Sequence, residues 1–128
     1  MTAYKALAVY LKANTSSLGC TYFPIQAPQG TTGLYGTFSL IDTLTEVTHS
    51  GPSGFGEMLI QFDIFSTSLS DVDDTVQKLK NEFVGKTVIA DSTLHLVYCA
   101  SQSELDEFDE EEKIYRRTVD LRFKYNEI

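Results

Sequence analysis

Histidine, cysteine and positive charge are all scarce in this chain, and each shortage removes a class of function. The only histidines are His49 and His95. His95 and Cys99 fall on one face of an expected strand, but four residues of extended chain separate them by about 13 Å. That is too far for a nucleophile and its base. The other cysteine, Cys20, is remote from Cys99. The pair permits one disulfide at most and gives no disulfide framework. The pair reads as two buried free thiols in a reducing cytoplasm. Ten basic residues face eighteen acidic ones, a net charge of −8. A sequence-specific DNA or RNA reader needs a basic footprint, so that class is excluded. An acidic protein that surrounds DNA without gripping it is not.

Long apolar runs are missing as well, so no bilayer span is expected. The opening "MTAYKALAVYLKAN" lacks the basic start and small-residue cleavage site of a signal peptide and reads as a helix. The glycines of "GPSGFGE" (51–57) do not have phosphate-loop spacing, and a strand follows where a helix should start. "GPSG" is no nucleophile elbow either. From the residues, no catalytic set, cofactor or metal site is expected.

What is present is an alternation of two periods. Residues 3–13 have a broad apolar side of Leu7, Val9, Tyr10 and Leu11 and read as a helix. "NTSSLG" (14–19) ends it, and "CTYFPIQAPQG" (20–30), with Pro24 and Pro28, should be extended and irregular. Residues 31–50 alternate as a strand, 51–56 read as a loop, and 57–67 alternate again, the signature of an antiparallel hairpin. From Ser70 the period becomes helical through Val72, Val76, Leu79 and Phe83. Ser70 with Asp73 forms a near capping box, and Gly85 supplies the stop. Residues 86–90 suggest a short strand. Residues 93–102 read as a strand with Leu94, Leu96, Tyr98 and Ala100 on one face. Residues 113–127 alternate cleanly. Tyr115, Val119, Leu121, Phe123 and Tyr125 point one way, with Arg117 the exception. Ile114, Arg116, Thr118, Asp120, Arg122 and Lys124 form a wet face. The order α-β-β-α-β-β predicts one α+β domain over 1–128: an antiparallel sheet of two hairpins with helices packed on one face.

Between the last two strands, and running into the last one, is "SELDEFDEEEKIYRRTV" (103–119). Seven of the nine residues from 104 to 112 are carboxylates: Glu104, Asp106, Glu107, Asp109, Glu110, Glu111 and Glu112. A calcium loop needs a central glycine and flanking helices, and this run has neither. Contiguous carboxylates in a turn are solvated and poor acid–base catalysts. The run therefore reads as a charged hairpin tip that resists edge-to-edge aggregation. Arg116, Arg117 and Arg122 follow it. The residues leave two readings of them open: cross-strand pairing within the sheet, or a heterologous subunit contact in which basic strand meets acidic lip. On the second, replacing all three by Ser, or adding salt, should weaken an assembly.

The stretch "MLIQFDIFSTSLSDVDDTVQKLKNEFVG" (58–85) resembles the central signature of the tail-terminator and tail-completion proteins of tailed phages. "YRRTVDLRFKY" (115–125) resembles their closing strand. The early helix and "YFPIQAPQG" fall in the expected order, so the resemblance runs from about residue 3 to 125. The acidic run is denser than that pattern requires. The resemblance implies a structural virion protein, assembled in the host cytoplasm and acting in the tail or neck. It implies a homo-oligomeric ring, usually of six subunits, on the head-proximal end of the tail tube. Such a ring stops tube polymerisation, contacts the tail tube protein and docks the head connector. DNA passes through its lumen without sequence-specific binding, and there is no membrane partner, enzyme activity, metal or cofactor. Another neck or minor tail protein is the alternative, and a small ligand-binding α+β domain a more distant one. The acidic carboxylates and Arg116, Arg117 and Arg122 are the candidates for an oligomer or lumen interface.

Overall fold

Two alternating apolar faces, separated by a helical stretch, dictate a sheet with helices laid on one side. The computed structural model describes residues 3–48, 51–86, 88–91 and 94–127. Helix α1 (Ala3–Ala13) buries Ala3, Ala6, Leu7 and Leu11, a stripe at helical spacing. Val9, expected inside, is 52% exposed, because two residues from Leu7 carries it round to the far side. A single turn, α2 (Thr15–Leu18), tucks Leu18 under the core and ends at Gly19 in the left-handed region. Helix α3 (Leu69–Phe83) buries Val72, Thr75, Val76, Leu79 and Phe83. Its cap is Ser68, two residues before the expected Ser70: the Ser68 hydroxyl accepts the Asp71 amide at 3.3 Å. Gly85, with φ of +73°, turns the chain after the helix as expected, and its amide donates to the Cys99 carbonyl at 2.9 Å.

The strands are β1 (Tyr22–Pro24), β2 (Tyr35–Thr48), β3 (Gly51–Ser66), β4 (Val88–Asp91), β5 (Leu94–Asp109) and β6 (Ile114–Glu127). They form one sheet in the order β1-β2-β3-β6-β5-β4. The α+β class and the two central hairpins are as expected, and the helices share one face. The sheet is mixed, however, not wholly antiparallel. Tyr22, Phe23 and Pro24 pair in parallel with Gly36, Thr37 and Phe38. Pro24 is tolerated because β1 is an edge strand with an unpaired outer side.

Two further corrections concern strand limits. Residues 51–56 belong to β3, not to a loop: Gly51 and Pro52 pair with Thr48 and Val47. Residues 49–50, between β2 and β3, lie outside the described residues. Strand β5 runs to Asp109, so the acidic run is half strand and half turn. Strand β5 also carries two bulges, at 96/98 and 101/103. Each bulge flips the alternation, so Cys99 joins Leu96 on the core face while Tyr98 is exposed. The expected face of Leu94, Leu96, Tyr98 and Ala100 is therefore broken in two.

The core lies between the helices and one sheet face. Phe62, Phe83 and Phe123 are fully buried, with Phe83 edge-on to Phe123 at 5.3 Å and Tyr22 edge-on to Phe62 at 5.6 Å. Burial of each such ring contributes roughly 1.5–3 kcal/mol. Cys20 and Cys99 are buried and unbonded. Burial pushes their thiols up, to about 11 and about 12, so they are inert at neutral pH.

Candidate functional site

The distal half of the β5–β6 hairpin forms an arm of the sheet, exposed over 101–113, that carries most of the candidate residues. Register fixes which side each occupies. On the helix side, Glu104 stands opposite Val119, Asp106 opposite Arg117, and Phe108 opposite Tyr115. On the helix-free side, Glu107 stands opposite Arg116, which in turn pairs with Phe65 of β3.

Arg117 is the hub of the helix side. Its Nε donates to Asp106 Oδ1 at 2.5 Å and its Nη2 to Asp106 Oδ2 at 3.1 Å, a bidentate pair. Its Nη1 donates to Asp73 Oδ1 of α3 at 2.6 Å and lies 4.0 Å from Glu104. Lys80 of α3 holds Glu104 at 2.7 Å. This network explains why an arginine interrupts the apolar face of β6: it sits where the core ends and the helix still reaches. The Arg117 hydrogen bonds hold the Asp106 carboxyl below the usual carboxylate range, and the Asp106 and Asp73 bonds push the guanidinium up.

On the helix-free side Asp63 is the hub. It is buried, accepts the Thr118 hydroxyl at 2.5 Å and the Arg116 Nε at 3.1 Å. The Arg116 guanidinium also sits 5.7 Å from the Phe65 ring centre and 3.7 Å from Glu107. Phe65 stacks on Tyr35 at 4.9 Å. Further along, Arg122 donates to Gln102 at 3.0 Å and to Glu57 at 3.4 Å, and Lys124 lies 3.7 Å from Glu57. Ser103 donates to Asp120 at 2.8 Å.

The structure thus brings Glu104, Asp106 and Arg117 together, and Glu107 with Arg116. It does not bring Arg122 to the acidic run. Asp109 turns inward on the hairpin: one carboxylate oxygen accepts the amides of Glu111 and Glu112 at 2.9 and 3.1 Å. Glu110, Glu111 and Glu112 are exposed at the tip, without an ion pair among the described residues. Asp63, Asp73, Glu57 and Lys80 were missed as partners. The signal for Asp63 was its place mid-strand, a carboxylate on the wet face; its register partner there is Thr118, one position from Arg117 and two from Arg116. Nothing local marked Asp73, whose contact depends on how α3 crosses the sheet.

Clefts border the arm on both faces. The one around Arg117, Asp73 and Lys80 has a volume of about 320 Å³. Its charged groups, Asp73, Lys80, Glu104, Asp106 and Arg117, are paired with one another. The two on the helix-free side, about 390 and 480 Å³, meet at Tyr35, Phe65 and Arg116. Among the described residues no set of three His, Cys, Asp or Glu side chains is grouped to hold a metal ion. The side chains of His49 and His95 lie outside the described residues.

No family model matches this chain, and no curated protein matches its sequence. Solved structures do match its fold. One is a chain of the virion of a native gene transfer agent particle. It has a TM-score of 0.68 and 14% identity, covering 94% of this chain and 93% of that one. A second, which carries no functional name, has a TM-score of 0.51 and 13% identity, covering 97% of this chain and 89% of that one.

Proposed function

We propose that this chain is a structural subunit of a phage-like virion. It forms a ring, hexameric in the simplest case, on the head-proximal end of a tail tube. The ring stops tube growth and presents the surface to which the head connector docks, with DNA passing through its lumen. The observation that carries this reading is the likeness to the gene transfer agent virion chain, which extends over 94% of this chain. The shape of the molecule supports it. Several of its charged groups brace the β5–β6 hairpin from within the chain, and the surface offers edges and loops for assembly.

Particles made without this protein test the reading. Overlong tails are the expected result. Tails of normal length with detached heads would assign the chain to head–tail joining instead. Light scattering on the purified protein tests the ring itself. A stable monomer at high concentration would overturn it.

A further inference from the structure

Among the described residues, the sheet ends in two long strand edges that no other strand covers. Strand β1 pairs with β2 only at 36–38, where the Ile25 amide also donates to the Phe38 carbonyl. Residues 39–48 of β2 therefore have no strand on their outer side among the described residues. Strand β4 pairs with β5 only at 94–96, and Gly85 caps the Cys99 carbonyl. Residues 100–109 of β5 are open in the same way. Unpaired backbone of this length is a template for another strand.

The two open edges are complementary in position and direction. Strand β1 covers β2 at the end where β5 is open, and β4 covers β5 at the end where β2 is open. The edges thus lie diagonally across the sheet. Strands β2, β3, β6 and β5 alternate in direction. The next strand beyond β5 in that alternation has the sense of β2. A second copy placed beside the first, with its sheet running the same way, offers its β2 edge to β5 in antiparallel pairing.

Charge selects the same arrangement. Two β5 edges facing each other would set Glu104, Asp106, Glu107 and Asp109 against their own copies. A β2 edge carries only Asp42 and Glu46 between residues 39 and 48. The β5 acids do not shield their own edge either, because Lys80, Arg116 and Arg117 hold Glu104, Glu107 and Asp106. Exposed apolar side chains sit along both edges: Ile41 is 52% exposed and Leu105 61%.

We infer that the open edge of β5, residues 100–109, adds to the open edge of β2, residues 39–48, of a second copy. Repetition of this head-to-tail contact closes a ring whose sheet is continuous from subunit to subunit. The inference rests on the ring reading above and adds the surface that makes it.

Paired cysteines test it. Asp42 lies on the helix-free face, as do Ser103, Leu105 and Glu107. Their spacing of two residues samples successive registers on one face. The double variants are Asp42→Cys with Ser103→Cys, Leu105→Cys or Glu107→Cys. Buried Cys20 and Cys99 leave the background clean. Mild oxidation of at least one double variant should give a covalent ladder beyond the dimer. Each single variant alone should give no cross-link, and a mixture of the two matching singles should stop at dimers. A single variant that cross-links to itself would show two-fold edge pairing and overturn the inference. So would an oligomeric wild type whose double variants all fail to cross-link, although the ring would then survive on another surface. A monomeric wild type would sink both.

Discussion

Several residues sit in conformations that only close packing or a specific turn explains. Gly36 of β2 lies under the Tyr22 ring: a Cβ built there would stand 2.5 Å from two ring carbons. Tyr22 belongs to β1, and its buried ring packs edge-on against Phe62, which leaves it little room to withdraw. Gly36→Ala should cost about 1–3 kcal/mol, read as a fall in melting temperature of several degrees. The opposite sign is expected at two non-glycine residues in the left-handed region, Lys113 with φ of +60° and Ile25 with φ of +64°. Lys113 closes the β5–β6 turn, where its amide donates to the Asp109 carbonyl at 2.8 Å. Left-handed backbone costs an ordinary residue about 1–2 kcal/mol. Lys113→Gly should recover roughly 1 kcal/mol of it, after the extra chain entropy of glycine. Urea titration of the purified variant checks this. The buried thiols set a third expectation. Their folded values, about 11 and about 12, lie above the unfolded range. The stability they contribute is therefore complete below about pH 8.5 and lost as pH rises through the folded values. A melting temperature flat to pH 8 and falling beyond pH 9 is expected. Cys99→Ala should remove part of the alkaline slope.

Element by element, the acidic arm is held by charge where apolar packing runs out. Arg117 joins β6 to β5 through Asp106 and to α3 through Asp73, and its side chain is only 14% exposed. Its loss strands three carboxylates near one another. Arg117→Ala should destabilise the chain by about 2 kcal/mol, the order expected for charge-assisted hydrogen bonds. Arg117→Lys should rescue little, because an ammonium cannot make the bidentate pair. Asp106 gives the pH sign. Its folded value is depressed, so its contribution is present above about pH 4 and lost as pH falls through the folded value. An Asp106→Asn variant should show less acid sensitivity than wild type. The arm also shows what could be read from the sequence. The clean alternation of 113–127 fixed both faces of β6, including the odd position of Arg117. The bulges of β5 could not be read, since an inserted residue looks like any other until a partner strand exposes the mismatch. Nor could residues 51–56 be read as strand, because Gly and Pro signal turns and only pairing with β2 overrides them. The parallel strand β1 is three residues long, too short to show a period. Within the candidate site, the charged residues were legible and their partners were not, because the partners come from other elements.

For the whole molecule, the net charge of −8 now bears on assembly differently. One of the two readings that the sequence leaves open has basic strand and acidic lip join neighbouring subunits, so that salt would weaken the ring. In the structure Arg116, Arg117 and Arg122 all find partners in their own chain. Copies joined through backbone edges would then mainly repel one another by charge. Screening beyond a Debye length of about 10 Å at 0.1 M salt should strengthen association. The expected result in sedimentation is an oligomer that survives or gains from added salt. Dissociation by salt would restore the arginines to an intersubunit role. The same charge bears on DNA. A ring of such subunits should retain no duplex even at low salt, because it releases no counterions from the phosphates. The tip residues Glu110, Glu111 and Glu112 are free to report on the channel. Changing all three to Lys adds six charges to −8 and leaves −2 per subunit. If the tips face the lumen, the variant ring should hold linear duplex, and added salt should release it. Blocking both DNA ends before the ring is added should then abolish retention, since a closed ring needs a free end to thread. Equal retention of blocked and open DNA would place the tips on the outside of the ring.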